Sequence, residues 1–256
     1  MKTNSDYKKF FAVAMFGAAI ALASATATAA ALSPSASAVA DAGRPDADKA
    51  RDADRKPAEM LEFAKIKPGQ TVIDYLPGKG YFTRLFSAAV GTKGTVYAVT
   101  PQLLIDKLKG RPLPSPVSAE PGRGNVHEVI ANDSGLNVPV KADLVWTSQN
   151  YHDIHNWAGA NGAAQLNKTV FETLKPGGIY VVVDHAASPG LDDAGMAKLH
   201  RIDEALVKKE VQAAGFVLDG ESKVLRNPAD THENPVFDAS IKGKTDQFVL
   251  RFRKPS

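Results

Sequence analysis

The chain contains no cysteine, no surplus of charge of either sign and only one long apolar run. The missing cysteines exclude disulfide bonds and thiolate metal sites. The 256 residues include 31 Lys and Arg and 28 Asp and Glu, so the formal net charge is only +3. Because no block of basic residues is present, the sequence gives no sign of a nucleic-acid partner.

The one long apolar run covers residues 10–23 and follows a lysine-bearing start. It is shorter than the roughly 20 residues of an ordinary membrane span. Small residues that suit cleavage follow at two places, ending at Ala29 and at Ala40. This layout predicts a secretory signal peptide over residues 1–29, and therefore a periplasmic or secreted protein with no stable membrane anchor after cleavage. An uncleaved anchor is the alternative.

The chain after the leader divides by composition. Residues 30–54 are rich in Ala, Ser, Pro and Asp, which predicts a flexible spacer. Residues 55–256 alternate short apolar runs with amphipathic segments, as expected for one α/β domain. The predicted strands cover residues 71–74, 94–99, 126–131, 142–146, 179–185, 216–225 and 247–252. The predicted helices cover residues 57–66, 82–90, 101–108, 156–174 and 191–214. Residues 110–124 hold four Pro and three Gly, which predicts a long loop.

The most informative stretch is the glycine-containing turn after the first predicted strand. The strand ends at Asp74, and Gly78 and Gly80 follow before the helix over residues 82–90. The order strand, glycine loop, helix is typical of the first unit of a nucleotide-binding α/β domain. Glycine has no side chain, so the backbone turns sharply and a ligand comes close. Asp74 is placed to accept hydrogen bonds from loop amides or from a ligand amine.

This turn resembles the first motif of the class I S-adenosylmethionine (SAM)-dependent methyltransferases. That motif reads apolar-apolar-Asp/Glu-x-Gly-x-Gly-x-Gly, and the chain matches it at Asp74, Gly78 and Gly80. It departs from the motif at Leu76, where the family has its first glycine. It departs again at Thr100, after the second strand, where the family has an acidic residue that holds both ribose hydroxyls.

Later segments extend the resemblance over residues 55–254, most closely to an exported branch of predicted methyltransferases. They include Asn132-Asp133 after the third strand, residues 150–153 after the fourth, and the Pro-Gly-Gly turn before the fifth. The resemblance implies an α/β fold with a doubly wound, mostly parallel seven-stranded Rossmann-like sheet and an antiparallel last strand. It also implies SAM as cofactor and a small-molecule acceptor. The implied cofactor contacts are Asp74, Leu76, Gly78, Gly80, Thr100, Asp133 and Asn150.

Two histidines follow strands that should be neighbours in this topology. His152 is adjacent to Asp153, and His185 is adjacent to Asp184. Ligands in doubly wound sheets bind beyond the carboxyl ends of the strands, so these four residues should meet at one crevice. Methyl transfer needs a base only if the acceptor loses a proton. We therefore predict that His152 is the base and that Asp153 or Asp184 orients it. Alternatively, residues 151–153 cap a helix and His185 binds a loop.

Two other functions stay open at the level of the sequence. The first is a non-enzymatic ligand-binding protein on the same fold that no longer uses SAM. It is motivated by Leu76, by Thr100 and by export away from the cytoplasm, where SAM is made. The second is a metal site, since these side chains suit zinc, manganese or iron: His152, His155, His185, Asp153 and Asp184. His200 and Asp203 are expected on one helical face near the same crevice.

Overall fold

The computed structural model describes residues 32–132 and 135–256, and the predicted signal peptide lies outside them. The strands are β1 (Thr71–Tyr75), β2 (Thr95–Pro101), β3 (Val126–Ala131), β4 (Ala142–Ser148), β5 (Leu174–His185), β6 (Val217–Ser222) and β7 (Gln247–Arg253). They form one seven-stranded sheet in the order β3-β2-β1-β4-β5-β7-β6. Strands β1 to β5 pair in parallel, and β7 is antiparallel to both β5 and β6. The predicted mostly parallel sheet with an antiparallel last strand is confirmed.

Helices cover both faces of this sheet. They are α1 (Pro34–Val39), α2 (Asp46–Lys49), α3 (Asp52–Arg55), α4 (Pro57–Phe63), α5 (Tyr81–Val90), α6 (Gln102–Leu108), α7 (Tyr151–Thr173), α8 (Asp193–Leu199) and α9 (Glu204–Ala213). Neighbouring strand residues face opposite layers: Val72 belongs to the core cluster that includes residues of α1, α4 and α5, and Ile73 to the cluster that includes residues of α7, α8 and α9. None of the helices in the described residues has the length and apolar character needed to cross a membrane.

Helix α5 explains why the glycine loop is held firmly. Its apolar side chains recur at helical spacing, and Leu85 and Phe86 are completely buried against the sheet. Trp146 of β4 packs against the same helix, with its ring centroid 5.4 Å from that of Phe86. Asp74 of β1 lies between Ala98 of β2 and Trp146 in the register of the sheet. The loop between β1 and α5 is therefore anchored at both ends by buried structure.

The segment expected to be a flexible spacer differs from that expectation. Its described part, residues 32–54, contains α1 and α2 and most of α3, and Ala38 is completely buried. Arg44 is 2% exposed and makes two hydrogen bonds to Asp52, of 2.9 and 2.6 Å. Arg123, from the loop before β3, reaches back to Asp41 at 2.5 Å. Ion pairs with distant residues, which local composition does not reveal, order this polar segment.

Two predicted helices have different bounds in the structure. Helix α7 begins at Tyr151 rather than at Asn156, and it kinks at Gly159, whose φ is 64°. The helix predicted over residues 191–214 breaks at His200, which has a φ of 52°, and restarts at α9. Asp203 caps α9 by accepting a hydrogen bond from the Ala205 amide at 2.8 Å. His200 and Asp203 therefore lie at two helix ends, and the expectation that they share one helical face is wrong.

Candidate functional site

Two cavities open near the carboxyl-terminal edge of the sheet. The first, here called the glycine-loop cavity, has a volume of about 360 Å³, and its lining includes Leu76, Gly78, Gly80, Thr83, Thr100 and Glu128. The second, here called the arginine pocket, has a volume of about 350 Å³, and its lining includes Arg55, Phe82, Gln149, His185, Phe237 and Gln247. Both volumes fall within the range of about 300–1,000 Å³ usual for small-molecule sites.

The backbone at Leu76 has the conformation that the missing glycine would favour. Leu76 has a φ of +58°, in the left-handed region, which costs a non-glycine residue roughly 1–2 kcal/mol. Two hydrogen bonds hold it there: its amide donates to the Val99 carbonyl at 2.9 Å, and its carbonyl accepts from Asn150 Nδ2 at 3.0 Å. Position 76 therefore keeps the turn of a glycine loop and adds a buried leucine side chain beside the cavity.

Gly80 is required by a close approach of the predicted long loop. Its φ is +80°, and a Cβ at this position would lie 2.3 Å from Cγ2 of Val117. Val117 begins a short 3-10 helix, Val117–Ala119, within residues 110–124. The Ser118 amide donates to Glu128 Oε1 at 3.0 Å, and the Ser118 hydroxyl donates to the same carboxylate. The loop thus forms one wall of the glycine-loop cavity and is fastened to β3.

Asp74 lies beneath the cavity rather than on its surface. It is 3% exposed and accepts a hydrogen bond from Thr83 Oγ1 at 2.6 Å and another from the Thr83 amide. Burial raises its pKa to about 7, although the Thr83 hydrogen bonds and the charge of Arg55 oppose the shift. The sequence predicts that Asp74 accepts hydrogen bonds from loop amides or from a ligand amine. In the structure, the amide that donates to it is that of Thr83, in the first turn of α5.

The other predicted cofactor residues occupy different positions. Gly78 and Thr100 line the glycine-loop cavity. Asn150 donates to Leu76 and so supports the loop, whereas Asp133 lies outside the described residues. Glu128, for which the sequence predicts no role, also lines this cavity from β3, the strand next to Thr100, and its carboxylate is bound to Ser118. A carboxylate within a strand whose other residues, His127 apart, are apolar was the available signal.

The four predicted catalytic residues come together around Asp184. This fully buried carboxylate accepts from the amide of His152 and from the amide of His185, both at 2.8 Å. Its Oδ1 lies 2.7 Å from Nδ1 of His152, and because a carboxylate only accepts, Nδ1 carries the proton. Burial lowers the pKa of His152, but the charge and hydrogen bond of Asp184 outweigh it, so the pKa is raised above its usual value.

On its other side, His152 faces Asp153 and His200. Nε2 of His152 lies 3.5 Å from Asp153 Oδ1, which lies 3.6 Å from Nδ1 of His200. All three atoms are within 4.8 Å of one another. A tetrahedral zinc ion with ligands at about 2.0–2.2 Å sets neighbouring ligand atoms roughly 3.4 Å apart. Two of the three separations therefore match neighbouring ligands of a metal ion, and Asp184 lies behind His152 as an outer partner.

The remaining histidines of the metal interpretation lie elsewhere. Nε2 of His155 lies 2.8 and 2.9 Å from the two oxygens of Glu210, so His155 does not join His152. Nδ1 of His185 lies 2.7 Å from Thr245 Oγ1. Burial lowers the pKa of His185 to about 4, so its ring is neutral at neutral pH where it lines the arginine pocket.

No protein-family model matches the chain, and no curated protein matches it in sequence. Solved structures do match it. A SAM-dependent methyltransferase from Aquifex aeolicus has a TM-score of 0.51 and 18% identity, over 82% of this chain and 98% of that one. The CcbJ methyltransferase from Streptomyces caelestis has a TM-score of 0.51 and 15% identity, over 83% and 91%. The [4+2]-cyclase SpnF has a TM-score of 0.54 and 16% identity, over 84% of each chain. The chain has the Rossmann-like fold that these two methyltransferases and the cyclase share.

Proposed function

We propose that this protein is an exported SAM-dependent methyltransferase that acts on a small-molecule acceptor. The observation that carries the proposal is that the glycine-loop cavity and the His152–Asp184 pair both lie at the carboxyl-terminal edge of one sheet, the cavity along β1 to β3 and the pair at the ends of β4 and β5. Ligands of doubly wound sheets bind at that edge. Because fold does not fix function, and a cyclase shares this architecture, the proposal depends on the site rather than on the fold.

The lining of the glycine-loop cavity fits SAM. Gly78 leaves its backbone open to a ligand, Gly80 lets Val117 of the long loop close the cavity wall, and the first turn of α5 offers amide dipoles. The two oxygens of Glu128 each accept one hydrogen bond from Ser118, and their remaining lone pairs would accept from the ribose hydroxyls, for which Thr100 has no carboxylate. Asp74 and Asn150 would hold the loop in place, and Leu76 would lie against the cofactor. SAM would supply an electrophilic methyl group there.

His152 would take the proton of the acceptor. Asp184 holds the proton of the imidazole on Nδ1, which leaves Nε2 as the basic nitrogen. The raised pKa of His152 means that the neutral, basic form appears only as the pH rises through that value. The methylation rate should therefore increase with pH over this range. Asp153 and His185 would shape the space in which the acceptor lies.

Export is proposed from the leader over residues 1–29. Isolating the protein from the periplasmic or secreted fraction and sequencing its N-terminus tests this directly. A mature chain that begins at Ala30 or at Asp41 would support cleavage at one of the two small-residue sites. A chain that keeps residues 10–23 and fractionates with membranes would instead support the uncleaved anchor.

Binding of labelled SAM to variants of the cavity tests the proposed function. Replacing Glu128 with Ala should weaken SAM binding about tenfold or more, because a charged acceptor of ribose hydroxyls is lost. Glu59→Ala, at an exposed position on α4, is the matched control and should bind like wild type. Equal affinity of the Glu128 variant and wild type would contradict the assigned cavity, and no affinity in wild type would contradict the function.

The His152–Asp153–His200 cluster favours a second candidate, a metal-binding His/Asp site. A metal ion would need Nε2 of His152, so metal binding and the role of base exclude each other. Titration with Co²⁺ checks this, since His and carboxylate ligation gives visible absorption bands. Bands that vanish in His200→Ala but persist in His127→Ala, at an exposed position, would establish the metal site; their absence in wild type would eliminate it.

A further inference from the structure

Arg55 carries a half-buried positive charge that no carboxylate balances. It is the last residue of α3, and its guanidinium lies 4.6 Å from the ring centroid of Tyr81 and 4.8 Å from that of Phe82. Its Nη2 reaches only neutral acceptors, Ser148 Oγ at 3.4 Å and Gln149 Oε1 at 3.3 Å. Within residues 32–132 and 135–256, no carboxylate oxygen approaches it within the 4.0 Å of a salt bridge.

The other arginines of the protein show that this is unusual. Throughout the described ranges, every other arginine that is not exposed lies within 4.0 Å of a carboxylate. These are Arg44, Arg84, Arg123, Arg201, Arg226, Arg251 and Arg253. A buried charge without a partner is costly, so such groups in proteins are normally paired. Arg55 is therefore in the state expected of a residue whose partner comes from a ligand.

Nearby groups do not neutralise Arg55. Burial lowers its pKa to about 10, so the guanidinium stays protonated at neutral pH. Asp74 and Asp48 both act on the charge of Arg55 from beyond salt-bridge distance. Asp48 is paired with Arg84 at 3.0 Å, whereas the Asp74 carboxylate is hydrogen-bonded to Thr83, and burial raises its pKa to about 7. Asp74 therefore carries only part of a negative charge near neutral pH.

The arginine pocket offers the surroundings of an anionic, apolar ligand. Arg51 and Lys242 also line it, against one acid, Asp54, so its lining carries an excess of positive charge. Phe82, at its inner wall, and Phe237, which is 63% exposed at the surface, supply flat apolar faces. Small-molecule sites commonly combine such apolar and aromatic walls with a few charged or polar groups.

We propose that the arginine pocket binds a planar molecule that bears a carboxylate or similar oxyanion, with Arg55 as the ion-pair partner of that anion. The proposal rests on the proposed function in one respect: the bound molecule is identified with the methyl acceptor. The pocket includes His185, whose ring centroid is 5.8 Å from that of His152, so a molecule held by Arg55 extends toward the proposed base.

Benzoate and its uncharged isostere benzamide are the probes that test this assignment. Wild type should bind benzoate about tenfold more tightly than benzamide, and Arg55→Gln should remove that preference. Arg111→Gln, at an exposed loop position outside the pocket, is the control and should keep it. Arg55→Lys keeps the charge and should keep part of the preference, which guards against a folding defect in the glutamine variant. Equal binding of both probes by wild type, or an unchanged preference in Arg55→Gln, would overturn the proposal.

The anion could belong to the cofactor instead of the acceptor, because SAM also carries a carboxylate. Titration of SAM and decarboxylated SAM into wild type and Arg55→Gln separates the two sources. Loss of SAM affinity in the variant, with unchanged affinity for decarboxylated SAM, assigns Arg55 to the cofactor carboxylate; benzoate selectivity with unchanged SAM affinity assigns it to the acceptor. If wild type binds no SAM but selects benzoate through Arg55, the proposed function fails and the anion site stands.

Discussion

At the scale of single residues, the site depends on buried polar groups that the surrounding backbone holds in place. Asp184 accepts three hydrogen bonds, from two amides and from the His152 ring. Asp74 accepts from a hydroxyl and an amide of Thr83. Burial acts to raise the pKa of both carboxyl groups, but the outcome differs. For Asp184, the interaction with His152 outweighs burial and the pKa is lowered, whereas for Asp74 burial dominates and the pKa is raised.

Asp74 should make the protein less stable as the pH rises, which is the reverse of the usual effect of a carboxyl group. Its pKa rises from 3.8 in the unfolded chain to about 7 in the folded one, so the folded state binds more protons between these values. Stability relative to Asp74→Asn should therefore fall as pH rises through this window, by about 2–3 kcal/mol between pH 5 and pH 8. Urea unfolding of both proteins at the two pH values measures this. A difference that does not change with pH, or that Asp106→Asn reproduces, would contradict it.

Asp184 should make stability depend on pH in the direction opposite to Asp74, because the pKa of Asp184 is lowered in the folded protein. Asp184→Asn should destabilise the protein by about 3–5 kcal/mol at pH 7, because a buried pair is broken. The pKa of His152 should also drop, since the charge of Asp184 is what raises it. NMR titration of the histidine rings measures the pKa, with exposed His127 as internal control. A His152 pKa that is the same in both proteins would argue against the pair.

At the scale of secondary-structure elements, the long loop over residues 110–124 decides the shape of the glycine-loop cavity. Val117 packs over Gly80, and Ser118 is bound to Glu128. Two glycines of the same turn differ in their surroundings: a Cβ at Gly80 would meet Val117 at 2.3 Å, whereas a Cβ at Gly78 would meet nothing within 4 Å. This contrast provides a matched test of the loop position.

Gly80→Ala should be more costly than Gly78→Ala. Both variants suffer the left-handed strain, roughly 1–2 kcal/mol. Only Gly80→Ala must also push Val117 away, which should add about 1–3 kcal/mol as in an overpacked core. Denaturant unfolding of the two variants gives the difference. Equal losses of stability would mean that the loop does not lie on Gly80.

Helix α1 provides a second test at this scale. Ala38 is completely buried, whereas the neighbouring Ser37 is exposed. Ala38→Asp places a charge in an apolar layer and should cost about 2–4 kcal/mol, whereas Ser37→Asp should have little effect. Thermal unfolding compares them. Similar melting temperatures for both variants would support the flexible spacer predicted from composition instead.

These elements also show what the sequence could and could not predict. The strands and the glycine loop were predictable because apolar runs and glycines act locally. Order in residues 32–54 was not, since it comes from pairs such as Arg123–Asp41 that join distant segments. The approach of His200 to Asp153 depends on a helix break that no proline or glycine marks. Arg55 gave no local signal, because only the tertiary structure shows that its charge is unpaired.

At the scale of the whole molecule, the sheet places two cavities and a histidine–aspartate cluster near one edge. Parallel strands end together at that edge, so residues distant in sequence meet there. We propose that the glycine-loop cavity binds SAM, that the arginine pocket binds an anionic acceptor, and that His152 takes the proton of that acceptor. The claim on which the other two depend is that the glycine-loop cavity binds SAM.

Calorimetric titration of SAM into the chain from Ala30 onward tests that claim most directly. We expect a dissociation constant in the micromolar range, which corresponds to a binding free energy of about −8 kcal/mol. Thr100→Trp, which fills the cavity, should abolish binding, whereas Thr92→Trp, at an exposed turn position, should leave it unchanged. A well-folded wild type that releases no heat with SAM, or a Thr100→Trp variant that binds it normally, would contradict the account.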